Sequence, residues 1–159
     1  MLGAVIGAAV CVTAGVGAAR RLVARTRRLR AWQRALTSMG AACAYARADC
    51  AQILRAGSGD MPCLLVLARG VETRGEDPER AFRTQGRDSL LRPEEETVLS
   101  AVFRAAARGG REEISAAVAY AQERFAAFCA EADRKRQADA RMYVTLGVLS
   151  GLCVFLIAG

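Results

Sequence analysis

Few residues in this chain have the type and spacing to do chemistry. Glu94, Glu95 and Glu96 stand together, and three carboxylates could serve a metal site or an acid–base pair. Following Pro93 directly, they read instead as the first turn of a helix, where negative charge opposes the helix dipole. Side chains at i and i+1 also diverge and do not converge on one ion. The six cysteines are Cys11, Cys43, Cys50, Cys63, Cys129 and Cys153; no two stand as C-x-x-C, and histidine is absent from the chain. A zinc site of ordinary spacing and a Ser–His or Cys–His nucleophile are therefore both ruled out. The thiols are expected to be small apolar residues in a reducing compartment, and a thiol-redox enzyme would need paired cysteines that the spacing does not offer. Gly57-Ser58-Gly59 lacks the glycine-lysine ending of a phosphate loop. Arginine stays protonated at neutral pH, and the lone Lys135 lies in a basic run. The expectation is a protein with no catalytic residues, cofactor or metal, whose activity is carried by a surface.

The elements that hold this surface begin at the chain's end. Residues 142–159 carry no charge, and as a helix these 18 residues reach about 27 Å, close to the hydrocarbon thickness of a bilayer. Only Thr145 and Ser150 interrupt the apolar residues, and both can bond back to their own helix. Residues 1–19 repeat the pattern and are followed at once by Arg20 and Arg21. A cleavable signal peptide would carry its positive charge before the apolar run, whereas here it comes after. The sequence thus predicts a transmembrane helix over 1–19, a helical-bundle domain over 20–141 and a second transmembrane helix over 142–159. Gly3, Gly7 and Gly15 in the first span, and Gly147 and Gly151 in the second, form stripes of small residues suited to close helix packing.

The net charge of +7 raises the possibility of a nucleic-acid binder, but its distribution argues otherwise. Arg20, Arg21, Arg25, Arg27, Arg28 and Arg30 collar the first apolar run, and Arg134, Lys135, Arg136 and Arg141 precede the second. Between Ala31 and Asp133, 13 basic and 15 acidic residues leave a net of −2. The positive surplus therefore lies beside the bilayer, where it orients the spans and attracts anionic head groups, and the middle domain is expected to be cytoplasmic.

Within that domain, Leu29, Trp32, Leu36, Met39, Cys43, Ala46, Cys50 and Ile53 recur at alternating steps of three and four. This predicts one long amphipathic helix over 29–53, broken by Gly57-Ser58-Gly59. Further helices are expected over 62–69 with Asp60 as cap and closure at Gly70 to Gly75, from Asp77-Pro78-Glu79, from Pro93 to Arg108, and from about Arg111 toward the second span. No strand-length window alternates β-branched residues, so the fold is expected to be all-α, a small antiparallel helical bundle flanked by the two spans. The turns at 57–60 and 108–113 expose Asp60, Arg108, Arg111 and Glu112 beside unpaired helix ends, making these four the candidate partner surface.

The ending Arg141-Met142-Tyr143-Val144-Thr145-Leu146-Gly147-Val148-Leu149-Ser150-Gly151-Leu152 resembles the basic-x-Tyr-x-x-Leu-Gly-x-Leu-x-Gly-Leu pattern of the stage III sporulation protein AB family of endospore-forming bacteria. Leu29 to Tyr45, Gly75-Glu76-Asp77-Pro78-Glu79-Arg80-Ala81-Phe82 and Leu91-Arg92-Pro93 fall where that family has its counterparts. Gly40 to Ala44 and Ala106 to Gly110 depart from its acidic stretch and its Gly-x-Ser-Asp turn. The resemblance implies a subunit of a secretion-like complex in the mother-cell membrane around the forespore. Members look like a half-sized platform protein of type II secretion and type IV pilus machines. It implies the mother-cell ATPase of that complex as partner, with other membrane subunits and the lipid bilayer. The alternative is a membrane-tethered regulatory adaptor that binds a soluble signalling protein.

Overall fold

The structure is a computed structural model. It describes the backbone of residues 2–45, 49–86, 88–108 and 110–158, and the side chains of those residues except 2–20, 45, 140–141 and 143–158. The described residues are all-helical, as expected: α1 (Leu2–Tyr45), α2 (Cys50–Gly57), α3 (Cys63–Arg74), α4 (Pro78–Gln85), α5 (Pro93–Arg108) and α6 (Arg111–Ala158). Two compact units divide the chain, one of residues 24–129 and one of the chain ends, 1–23 and 130–159.

Among the described residues no helix is long and apolar enough to cross a membrane. The expected spans and their stripes, Gly3, Gly7, Gly15, Gly147 and Gly151, fall within α1 and α6 where side chains lie outside the described residues.

The predicted seam is real, but it is carried by two helices. Leu29, Trp32, Leu36, Met39 and Cys43 are buried on α1, and Ile53 is buried on α2. Asp49 takes up extended backbone and accepts a hydrogen bond from the Gln52 N–H at 2.8 Å, which starts α2 as a new helix. Apolar periodicity of three and four survives such a break, so it could not reveal one. Ala46 lies outside the described residues.

Local chemistry explains the other boundaries. α3 runs on through Gly70 to Arg74, beyond the expected stop. It ends where Gly75 adopts φ 60° and the N–H groups of Gly75 and Glu76 return to the carbonyls of Val71 and Gly70. This left-handed closure favours glycine at residue 75, not residue 70. Asp60 does not cap α3, whose first turn is preceded by Pro62 without a side-chain cap; instead it receives Arg34 Nε from α1 at 2.6 Å. Asp77 caps α4 through the Glu79 N–H, with Pro78 in the first turn, as the sequence predicts.

α1 is the element on which the other helices meet in residues 24–129. Trp32 meets Phe82 of α4 edge-on at 6.3 Å, and Phe82 stacks on Phe103 of α5 at 4.3 Å. A Cβ on Gly57 would lie 2.8 Å from Leu64 Cδ1 and 3.2 Å from the Ala35 carbonyl oxygen, so the glycine lets α2 end directly against α1. The Gln122 amide of α6 donates to the Leu36 carbonyl at 2.9 Å, and Arg111 donates to the Cys43 carbonyl at 2.9 Å. Position rises along α1 as it falls along α6, so these segments run antiparallel. α2 packs on α3, α3 on α4 and α4 on α5, completing the bundle. Leu64 and Leu67 of α3, Phe82 of α4, Val102 and Phe103 of α5 and Phe125 and Phe128 of α6 are all buried in its core.

Candidate functional site

Ion pairs distinguish the arginines of the first collar from one another. Arg21 and Arg27 are exposed, whereas Arg25 and Arg28, one turn apart on α1, each meet an acid from the far side of the bundle. Arg25 Nη2 donates to Glu95 Oε1, and Arg28 Nε donates to Asp88 Oδ2. Glu95 is only 1% exposed, and a carboxylate so deep in the protein is tolerable only when paired and hydrogen-bonded. Its second oxygen accepts the Arg92 N–H at 2.8 Å, the reach-back of a capping box at the start of α5. The three-glutamate run therefore contains one residue that both caps its helix and holds α1. The sequence showed the helix start but not the burial, because the partner lies 70 residues away.

In the second collar, Arg134, Lys135 and Arg136 are exposed, and Lys135 pairs with Glu131 one turn earlier at 2.6 Å. The side chains of Arg20 and Arg141 lie outside the described residues.

The four residues expected to form a partner surface are not gathered at one place. Asp60 is engaged by Arg34, and Arg111 closes the end of α1 through the carbonyls of Cys43 and Ala44. Their contacts on α1 are nine residues apart, about 14 Å along the helix. Arg108 and Glu112 are exposed at the turn between α5 and α6.

A cavity of about 430 Å³ beside α4 and α5 is lined by Phe82, Arg83, Pro93, Glu96, Thr97 and Ser100. Its hydroxyls serve their own helix, Thr97 donating to the Pro93 carbonyl and Ser100 to the Thr97 carbonyl. On the flank of the same helix pair, Arg104 and Arg83 both donate to Glu79; Arg104 chiefly, then Arg83, hold its carboxyl below the usual range.

Cys43, Cys50, Cys63 and Cys129 form no disulfide. Burial pushes the thiols of Cys43 and Cys63 upward, and pushes that of Cys50, beside Asp49, to about 11. Such thiols are protonated and unreactive at neutral pH. Among the described residues no group of three or more metal-ligating side chains is gathered.

The family model of stage III sporulation protein AB matches residues 1–157. The chain belongs to that family. In this member of the stage III sporulation protein AB family the match takes in the first uncharged run, both basic collars, the bundle between them and the second uncharged run as far as residue 157. No curated protein and no solved structure matches the chain.

Proposed function

We propose that this member of the stage III sporulation protein AB family is a non-enzymatic membrane platform, a scaffold subunit of a secretion-like complex acting in endospore formation. In this reading residues 1–19 and 142–159 span the membrane and the bundle docks a cytoplasmic motor ATPase beside it. The carrying observation is the family match over residues 1–157, which joins two uncharged runs to a helical domain in one sporulation protein. The physical chemistry agrees: the runs have the length of a bilayer crossing, and each has a basic collar facing the domain. Within the bundle Arg25, Arg28, Arg34, Arg83 and Arg104 pair with acids and Arg111 closes the end of α1, which suits a rigid support. Arg108 and Glu112, exposed at the turn after α5, are the proposed contact point for the ATPase. Rim charges of this kind steer association and choose partners.

Co-purification tests the reading. Full-length protein should retain the ATPase encoded beside it, and reversing charge at Arg108 and Glu112 together should lower the yield. An unchanged yield removes this turn as the contact, and no association with the wild-type protein removes the platform role.

A further inference from the structure

Between the close of α3 and the start of α4 the chain sets two carboxylates side by side, Glu76 and Asp77. Each has one oxygen in use: Arg74 Nε holds Glu76 Oε1 at 2.9 Å, and the Glu79 N–H donates to Asp77 Oδ1 at 3.0 Å. The second oxygen of Glu76 is shielded from water and meets no hydrogen-bond donor. A carboxylate oxygen so placed costs stability until a donor reaches it. Among the described residues Asp77 forms no ion pair, so two negative charges stand here against one guanidinium.

Both acids line a cleft of about 370 Å³. Its apolar wall is Val71 from the last turn of α3, Pro78 from the first turn of α4, and Ala106 and Ala107 from the last turn of α5. Short side chains on three helix ends leave this space open. An apolar wall that ends at surplus negative charge suits a side chain with a methylene stem and a cationic head. Of the two such side chains, arginine carries a fork of donors that adjacent carboxylates can share, and its guanidinium gives up water more readily than an ammonium. Ala107 is exposed and leads directly into Arg108, so the cleft opens beside the turn proposed as the ATPase contact.

We propose that this cleft is the socket for one arginine of the ATPase, its stem lying along Val71, Pro78, Ala106 and Ala107 and its guanidinium shared by Glu76 and Asp77. The socket rests on the reading of the turn at Arg108 and Glu112 as the ATPase contact, and gives that contact its anchor. Arg108 and Glu112 steer the approach, whereas the inserted arginine holds the complex. Interfaces draw most of their affinity from a few inserted anchors, arginine prominent among them, while rim charges act mainly on the rate of encounter.

The test measures affinity between full-length protein in lipid nanodiscs and the ATPase encoded beside it. Glu76→Gln with Asp77→Asn removes both charges, while the asparagine keeps an oxygen for the Glu79 N–H. Affinity should fall about thirtyfold or more, the size of the change when an inserted charge loses its partner, and the loss should lie in the dissociation rate. Asp77→Asn alone should give part of that loss, which keeps the socket testable if circular dichroism shows the double variant to be poorly folded. Exposed arginines of the ATPase are then replaced by alanine one at a time. One of them should reproduce the loss, and combining it with the double variant should cost nothing more. Unchanged affinity in the acid variants, with the wild-type protein binding, overturns the socket and leaves the platform role standing. Losses that add for every arginine overturn arginine as the occupant. Absence of binding by the wild-type protein removes the platform role, and the socket with it.

Discussion

Trp32 shows what a single residue contributes here. The indole is fully buried between α1 and the aromatic pair Phe82 and Phe103, yet its ring N–H finds no acceptor. Apolar burial therefore holds it against an unmet donor. Trp32→Ala should destabilise the protein by about 3 to 5 kcal/mol, while Trp32→Phe, which removes the unmet donor along with some packing, should cost much less. Chemical denaturation of the three proteins separates the two effects, and equal losses would contradict this account. Cys50 makes a pH prediction. Its folded value, raised by burial from 9.0 to about 11, means that its contribution to stability is intact below 9 and is lost as pH rises through about 11. Alkylation of a variant keeping only this cysteine should have its midpoint near that value; a midpoint near 9 would show the thiol to be open to solvent. At this scale the sequence revealed the apolar periodic seam, and hence the buried places of Leu29, Trp32, Leu36, Met39, Cys43 and Ile53. It could not reveal which acid meets which arginine, because a charge pair across the bundle leaves no periodic trace.

Among the elements, turn chemistry was partly legible. Asp77-Pro78-Glu79 announces α4 because every step of that start is local. The break between α1 and α2 was hidden because Cys50 and Ile53 continue the α1 spacing, and only the cap by Asp49 shows that a new helix has begun. The end of α3 was expected at Arg69, with closure over Gly70 to Gly75; the helix runs on to Arg74 because glycine is tolerated inside a helix, and the closure falls at Gly75, the last residue of that range. The pairing of α1 with α5 gives the element-scale prediction. Glu95→Gln leaves Arg25 with a weaker partner, and Arg25→Gln leaves a buried carboxylate facing an amide; each should cost about 3 kcal/mol. The double replacement Arg25→Met with Glu95→Met should restore most of that loss, as apolar substitutes for buried ion pairs often do. A double-mutant cycle by thermal melting checks it, and additive losses would show that the two side chains do not act as a pair.

For the whole molecule, the compact unit over residues 24–129 should fold when produced alone, since the aromatic cluster, the Gln122 and Arg111 contacts and both arginine pairs lie within it. Cooperative unfolding of the isolated fragment, with α-helical circular dichroism, is the expected result; a gradual loss of signal would mean that the ends are needed. Orientation is tested on single-cysteine variants at Ser58 with an impermeant thiol reagent, which should label only after lysis. The helical class and the family were legible in the sequence, whereas the separation of Asp60 from Arg111 was not, because it depends on how α6 lies along α1. That dependence also matters in time. α1, the helix on which the others pack, leaves the ribosome before them, and the partners of Leu36 and Cys43 lie on α6, 86 and 68 residues later. During synthesis the side of α1 that bears Leu36 and Cys43 waits for its α6 partners until Arg111 and Gln122 have emerged. Nascent chains stalled before Arg111 should thus bind chaperones that recognise apolar helices, and those stalled beyond Cys129 should not.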